Sequence, residues 1–291
     1  MEKTIMDISI KKISASEAVK KVKSGMMIVT GLGCAEGRAF LGELHTVADE
    51  VSGVTVTNCL PMSDPEFMKK EYKNSFYVDG WFYSPALRNA HQNGNISFIP
   101  NHLHLAGTKR LAHVHTDIYV GACSMPDKHG YVSLSLSNTY EKRVIEEADC
   151  VILEINPHMP YTYGDLELHL DEVDFVIEAD YYPAELPDVE PNEKDNAIGN
   201  NIASQINDGD CIQLGIGGIP NAVASALKNK RDLGVHTEML TTGLMKLAKM
   251  GVITNKRKTL HKGKMVCTFA MGSKELYEFI DHNPGVAVLD G

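Results

Sequence analysis

Short apolar runs of strand length alternate with polar or amphipathic helical stretches along most of this 291-residue chain. Met26–Thr30, Ile118–Ser124 and Cys150–Ile155 are such runs, and Val54–Asn58 alternates apolar and polar residues in the manner of a half-buried strand. Strand, turn, helix and strand in this order indicate βαβ units. The pattern therefore predicts an α/β protein built on parallel sheets.

A proline-rich segment interrupts this pattern at Tyr181–Asp195, where three prolines stand among acidic residues. No regular element is expected to run through it, because proline lacks a backbone donor and breaks helices and central strands. We therefore predict an N-terminal α/β domain over residues 1–185 and a second domain over residues 190–291. The second domain ends directly after a strand predicted at Val286–Leu289, so we expect a shortened form of a longer protein.

Charge and composition narrow the classes of partner. The formal net charge is -10 and 43% of the residues are hydrophobic. Nucleic-acid binders normally carry a basic stripe, so neither nucleic acid nor an anionic membrane is an expected partner. The six cysteines form no Cys-x-x-Cys pair, and residues 1–12 lack the apolar core of a signal peptide. With no apolar stretch of membrane-spanning length, we expect a cytoplasmic protein with reduced thiols.

The segment Gln213–Asn221 (Gln-Leu-Gly-Ile-Gly-Gly-Ile-Pro-Asn) predicts a buried strand, a glycine turn and the start of a helix. Such a junction presents unpaired N–H groups and the positive end of a helix dipole, which favour a phosphate, a pyrophosphate or a developing oxyanion. The segment is neither a P-loop nor a dinucleotide-binding fingerprint, because the required lysine and glycine spacings are missing. A tight turn that merely packs helix against strand stays open as the alternative, at roughly even odds on spacing alone.

Glu238 is a lone carboxylate in the predicted strand Val235–Leu240. An unpaired carboxylate is costly inside an apolar strand. Spacing alone favours a position at the strand end, in water. Because open α/β sheets bind ligands at the carboxyl ends of their strands, Glu238 is nevertheless a candidate functional residue.

Two histidine pairs raise the question of a metal site: His102 with His104, and His113 with His115. Each pair alternates on a strand-like run and could present two imidazoles on one face. Neither an HExxH motif nor a carboxylate at a recognised ligand spacing accompanies them. We therefore expect surface or hydrogen-bonded histidines and no metal. A Ser/His/Asp hydrolase is also disfavoured, since the chain has no Gly-x-Ser-x-Gly elbow.

The glycine segment and the Glu238 strand belong to a larger set of motifs, which lie in order over nearly the whole chain. The other members are Gly80–Pro85, Met125–Asn138, Pro160–Asp165 and Phe269–Tyr277. Together they resemble the acetyl-CoA hydrolase/transferase family, and within it the 4-hydroxybutyrate and butyrate CoA-transferases. A likeness that extends over the whole chain is far more specific than any single motif.

The resemblance implies two similar open α/β domains, the second incomplete here, and a homo-oligomeric cytoplasmic enzyme. It implies transfer of coenzyme A between an acyl-CoA and a short-chain carboxylate through a glutamyl-CoA thioester. CoA would be a substrate, with no permanently bound cofactor. By motif match the nucleophile is Glu238, and the CoA-contacting loop contains Gln213, Gly215, Ile216, Gly217 and Gly218.

Two alternatives stay open beside this reading. One is hydrolysis of an acyl-CoA in the same site. The other is a non-catalytic remnant that only binds CoA, because family members continue well past residue 291. The resemblance also marks Cys34–Gly37 as a loop that faces the acyl group, with Gly37 where relatives often have proline.

Overall fold

The computed structural model describes residues 11–291. Two compact units divide the chain: unit 1 runs to Tyr161 and includes Glu167–Ala184, and unit 2 comprises Thr162–Leu166 and Glu185–Gly291. No helix or strand occurs between residue 178 and residue 193, where the prolines stand. Both units contain parallel strands, so the predicted α/β class with parallel pairing is confirmed.

From residue 11 onward, unit 1 contains nine strands. In chain order they are β1 Met27–Thr30, β2 Val54–Asn58, β3 Phe76–Gly80, β4 Ile96–Phe98, β5 Ile118–Cys123, β6 Tyr131–Ser133, β7 Cys150–Ile155, β8 Glu167–His169 and β9 Phe175–Glu178. Seven of them form one parallel sheet in the order β4-β3-β2-β1-β5-β7-β9, while β6 and β8 pair antiparallel. The helices of this unit are α1 Ala15–Val19, α2 Arg38–Glu43, α3 Pro85–Ala90, α4 Ala106–Leu111 and α5 Glu141–Glu147.

The direction of strand addition reverses in unit 1 between β1 and β5, which are hydrogen-bonded neighbours. Such a switch point leaves a crevice at the carboxyl ends of the two strands. The loop that follows β1 enters this region, because Glu36 forms a β-bridge with Gly121 of β5. Glu36 is fully buried there, so the sheet order places a carboxyl group where open α/β sheets usually hold ligands.

Unit 2 has shorter strands: β10 Cys211–Ile212, β11 Gly234–Val235, β12 Met239–Leu240, β13 Met265–Cys267, β14 Phe269–Ala270 and β15 Val286–Val288. They pair in parallel as β10 with β11, β12 with β14 and β13 with β15, and a bridge from His236 to Val266 joins β11 to β13. The helices are α6 Glu193–Gln205, α7 Gly218–Ala226, α8 Thr242–Lys249 and α9 Lys274–Ile280.

Two predicted strands of unit 2 are shorter in the structure than their sequences suggested. The strand predicted at the start of Gln213–Asn221 is missing there, because β10 ends at Ile212 and Gln213 is exposed, and the run Val235–Leu240 is split by a bend at Glu238. The pairing with the neighbouring run keeps one register across the split, His236 with Val266 and Met239 with Phe269, and both runs bend between these pairs, at Glu238 and at Thr268. Among the helices formed by residues 11–291, none has the length and apolar character needed to cross a membrane.

Candidate functional site

The glycine loop (Gln213–Gly217) and Glu238 leave the sheet of unit 2 from neighbouring parallel strands. Ile212 of β10 is paired with Val235 of β11, and the N–H of His236 donates to the carbonyl of Ile212 at 3.2 Å. The glycine loop starts directly after Ile212, and Glu238 follows Val235 by three residues, so both come after the carboxyl ends of paired strands. Because parallel strands share their carboxyl edge, the fold brings the two sequence candidates to one edge of the sheet.

Two glycines of the loop have surroundings that leave the backbone approachable. Gly217 has φ 113° and ψ -179°, a combination essentially restricted to glycine. A Cβ at Gly215 or Gly217 would meet no atom within 4 Å, so neither residue is required by close packing. Gln213, Gly215 and Ile216 are exposed, and no side chain caps α7 at Gly217. The backbone N–H groups at this helix start therefore lack a side-chain acceptor and could bind an anion.

Gly218 has a different role from its neighbours. A Cβ at Gly218 would stand 2.3 Å from Oδ2 of Asp195. Asp195 belongs to the capping box of α6, in which Asn192 and Asp195 bond each other's backbone N–H groups. Gly218 is thus needed for the close approach of α7 to α6, and the packing explanation left open by the sequence holds for this glycine.

A cavity of about 330 Å³ adjoins the glycine loop within unit 2. Ile216 and Gly217 line one part of it, and Thr241, Thr242 and Gly243 line another. The second group is the start of α8, whose first turn is capped by Thr241 through a 3.4 Å bond from the N–H of Leu244. Two helix N-termini therefore border one cavity, and their dipoles favour a negatively charged group there. Asp188 also lines the cavity, and its carboxylate is paired with Lys246 at 2.7 Å.

Glu238 has a well-anchored backbone and an unengaged side chain. Its carbonyl accepts the N–H of Thr268 at 3.0 Å and that of Phe269 at 3.2 Å. Its side chain is exposed and makes neither an ion pair nor a hydrogen bond with any side chain or backbone group of residues 11–291. It does not line the 330 Å³ cavity. The carboxylate is consequently available to an external electrophile.

Lys258 is a buried lysine of unit 2 that sequence reasoning missed. Nζ of Lys258 donates to the carbonyls of Val235 and Lys264, both at 2.7 Å, and burial lowers the pKa of Lys258. Burial, and then the charges of Lys258 and His261, lower the pKa of His236. The sequence signal that could have identified Lys258 is the run of basic residues between Asn255 and Lys264.

In unit 1, Glu36 is a second carboxyl group that sequence reasoning did not single out by itself. Burial raises its pKa from 4.5 to about 6, against the opposing hydrogen bonds from Ser63, Asn58 and Met62. The amide of Asn58 donates to Oε2 at 3.3 Å and the N–H of Met62 at 3.4 Å. Oε1 has no hydrogen-bond partner among the described residues. Only the position of Cys34–Gly37 in a family motif pointed to this loop.

The histidine pairs do not lie on strands. His102 and His104 flank Leu103 at a 3₁₀ turn, with ring centroids 5.7 Å apart. Nε2 of His115 lies 2.9 Å from Oδ2 of Asp149, and this hydrogen bond raises the pKa of His115. His115, Asp117 and Asp149 together place three potential metal-ligand atoms within 4.8 Å of one another. The group sits at the amino ends of β5 and β7, at the opposite edge from the strand ends that hold Glu36.

Comparison with known proteins gives a consistent family. The model of the acetyl-CoA hydrolase/transferase N-terminal domain matches residues 7–186. The 4-hydroxybutyrate coenzyme A transferase of Clostridium kluyveri is 38% identical over 95% of this chain and 65% of its own length. A succinyl-CoA:cyclohexane-1-carboxylate CoA transferase of Geobacter metallireducens is 37% identical over 94% of this chain and 62% of its own length. The chain therefore spans less than two thirds of these relatives.

Solved structures agree with the sequence comparisons. RipA from Yersinia pestis superposes with a TM-score of 0.92 at 32% identity, over 98% of this chain and 70% of that one. A 4-hydroxybutyrate CoA-transferase from Porphyromonas gingivalis superposes with a TM-score of 0.80 at 32% identity, over 97% of this chain and 68% of that one.

Proposed function

Because the chain belongs to the acetyl-CoA hydrolase/transferase family, we propose that it is a CoA-transferase acting between an acyl-CoA and a short-chain carboxylate. The observation that carries the proposal is the shared sheet edge of the glycine loop and Glu238. A phosphate- and oxyanion-binding backbone next to an unengaged carboxylate is what such a transfer needs. The names of the relatives support 4-hydroxybutyrate, butyrate and acetate as substrates.

The proposed reaction begins with attack of the Glu238 carboxylate on the thioester carbonyl of an acyl-CoA. The C–S bond breaks, which gives a mixed anhydride and the CoA thiolate. The thiolate then attacks the Glu238 carbonyl, and the acyl group leaves as a free carboxylate. The product is a glutamyl-CoA thioester, and a second carboxylate runs the same steps in reverse. No ATP and no further cofactor are needed, because one thioester replaces another.

In this proposal Gln213, Gly215, Ile216, Gly217 and Gly218 hold the CoA. The uncapped N–H groups at the start of α7 would stabilise negative charge on phosphate or on a tetrahedral oxyanion. The long pantetheine arm would supply binding energy remote from the reacting carbonyl. Gly217 is central to this role because its backbone conformation is closed to other residues.

Hydrolysis of an acyl-CoA in the same site is the second candidate. The exposure of the Glu238 side chain favours it, since a glutamyl thioester open to water is hydrolysed. Release of free acid without any acceptor carboxylate separates hydrolase from transferase.

The decisive experiment is an intact-mass spectrum after incubation with butyryl-CoA, followed by peptide mapping. A CoA-sized adduct on the peptide that contains Glu238, absent from Glu238→Gln, is the expected result. A Glu238→Gln variant that retained full transferase activity would refute the mechanism. CoA binding without an adduct or turnover would contradict the proposed transfer.

A cytoplasmic location and a homo-oligomeric state are further proposals, which rest on the family membership and on the sequence. Light scattering of the purified protein measures the oligomeric state directly. Cell fractionation measures the location, and recovery in the membrane fraction would contradict it.

A further inference from the structure

The residue proposed as the nucleophile lies at an irregular point between two paired runs of unit 2. The run that contains Glu238 keeps one register with its neighbour before and after this residue. Between the paired positions both runs bend, at Glu238 and at Thr268. The N–H of Glu238 donates to no acceptor among residues 11–291. The regular ladder of hydrogen bonds therefore does not hold this side of the Glu238 backbone.

The carbonyl of Glu238 is the anchored group instead. It accepts the N–H of Thr268 at 3.0 Å and the N–H of Phe269 at 3.2 Å. The hydroxyl of Thr268 is a third donor to the same oxygen, with Oγ1 at 3.2 Å from it. Thr268 thus holds this carbonyl twice, through its backbone and through its side chain. The side-chain bond is the one that a substitution can remove without changing the backbone groups.

The other flank of the bend is fixed separately. Oγ1 of Thr237 donates to the carbonyl of Met239 at 3.1 Å, a bond that spans Glu238. Thr237 is buried, and its N–H donates to the carbonyl of Val266 at 2.9 Å. Threonine hydroxyls that bond to nearby carbonyls in this way stabilise local turns of the chain. The bend is therefore anchored at Thr237, and the orientation of the Glu238 carbonyl depends on the donors that follow in the neighbouring run.

The direction of the Glu238 side chain depends on that carbonyl. Because the carbonyl is bonded to the neighbouring run, rotation about the Cα–C bond of Glu238 turns its Cα–Cβ bond relative to the sheet. The carboxylate has no hydrogen bond or ion pair among residues 11–291 that could restore its position. Reaction rates fall steeply with such displacement, since about 1 Å can cost about 100-fold. A group that fixes the carbonyl therefore determines the position of the nucleophile.

We propose that Thr268 is a positioning residue, whose hydroxyl orients Glu238 for attack on the thioester carbonyl. The inference rests on the proposed function and adds a residue to it. The hydroxyl acts through the backbone of Glu238 and takes no part in making or breaking bonds. It should therefore affect the rate of transfer and leave the affinity for CoA unchanged. Thr268→Ser retains the donor, whereas Thr268→Val retains the shape of threonine and lacks the donor.

The test measures how fast the CoA adduct forms on Glu238 after the 291-residue chain is mixed with butyryl-CoA, by acid quench and intact-mass spectrometry. Thr268→Val should form the adduct about tenfold more slowly than the parent, a fraction of the loss expected for a displacement of about 1 Å. Thr268→Ser should stay within about twofold of the parent. Thr254→Val is a matched control and should react at the parent rate, because Thr254 is also half-buried and its hydroxyl donates to Oδ1 of Asp232 at 2.8 Å.

Two further readouts separate positioning from damage to the fold. Calorimetry should give the same Kd for CoA in Thr268→Val and the parent, so that the loss appears in the rate alone. The final amount of adduct per molecule should also be unchanged, because a slower nucleophile still reacts. Slower adduct formation together with weaker CoA binding or a smaller final amount would show damage to the fold and overturn the inference.

The remaining outcomes distinguish this inference from the proposed function. Equal rates for Thr268→Val and the parent would overturn the inference and leave the proposed function intact. Equal slowing by Thr268→Ser and Thr268→Val would overturn it as well, because the hydroxyl would then have no effect. If Thr268→Val fails to fold, Thr268→Ala takes its place in the comparison with Thr268→Ser. Absence of an adduct on Glu238 in the parent chain would overturn both the inference and the proposed transfer.

Discussion

Replacement of Glu36 by glutamine should make the protein more stable at neutral pH. The folded protein raises the pKa of this carboxyl from 4.5 to about 6, so folding favours the protonated form. A shift of about 1.5 units corresponds to about 2 kcal/mol, at about 1.36 kcal/mol per unit. Glutamine resembles the protonated acid in shape and neutrality. Its carbonyl can accept the bonds that reach Oε2, and its NH₂ group would occupy the place of Oε1, which has no partner among the described residues.

The pH dependence follows from linkage. Because the folded pKa is above the unfolded one, the stability associated with Glu36 is fully present below about pH 4.5 and is lost as the pH rises through about 6. The glutamine variant does not titrate at this position. Its free energy of unfolding should therefore equal that of the parent within about 0.5 kcal/mol near pH 4 and exceed it by about 2 kcal/mol at pH 7.5.

Urea unfolding followed by tryptophan fluorescence provides the assay. Trp81 is the single tryptophan of the chain; it is buried in unit 1 and packs edge-on against Tyr140, with ring centroids 5.2 Å apart, so its emission reports on the unit that contains Glu36. The exposed Glu50 of the same unit supplies a matched control, and Glu50→Gln should change stability by less than about 0.5 kcal/mol at either pH. A stability difference for Glu36→Gln that did not grow between pH 4 and pH 7.5 would refute the reasoning.

Three further predictions concern unit 2. Gly217→Ala should lose about 1–3 kcal/mol of stability, because alanine is strained at φ 113°, and it should also weaken CoA binding. Gly215→Ala should lose less stability, because its position is uncrowded and its φ is ordinary. Equal thermal shifts for the two variants would contradict this prediction. Gly218→Ala should lower the melting temperature because its Cβ would stand 2.3 Å from Oδ2 of Asp195, and Asp195→Ala in the same chain should recover part of the loss. Lys258→Met should cost about 2–6 kcal/mol by chemical denaturation, since two backbone carbonyls lose their donor at about 1–3 kcal/mol each; a variant as stable as the parent would show that water replaces the ammonium.

Local patterns in the sequence determined the class of fold and the identity of the candidate residues. Strand-length apolar runs, glycine turns and capping boxes such as that of Ser14 and Glu17 depend on neighbours a few residues apart. The order of the motifs was sufficient to identify the family, which the family model confirms. These features can be predicted because their physical causes, side-chain periodicity and backbone conformation, act over short distances along the chain.

The roles of individual residues were decided only by tertiary contacts. Glu238 is exposed at a bend in its strand, opposite a bend at Thr268 in the neighbouring run about thirty positions away in the sequence. Glu36 is buried because strand order folds the loop after β1 over β5. Gly217 and Gly218 are adjacent glycines with different requirements. Gly217 has a positive φ that favours glycine, whereas Gly218 leaves no space for a side chain beside Asp195. Burial, strand partners and close approaches are set by residues distant along the chain, so the sequence supplied the chemical groups and the packed structure assigned their surroundings.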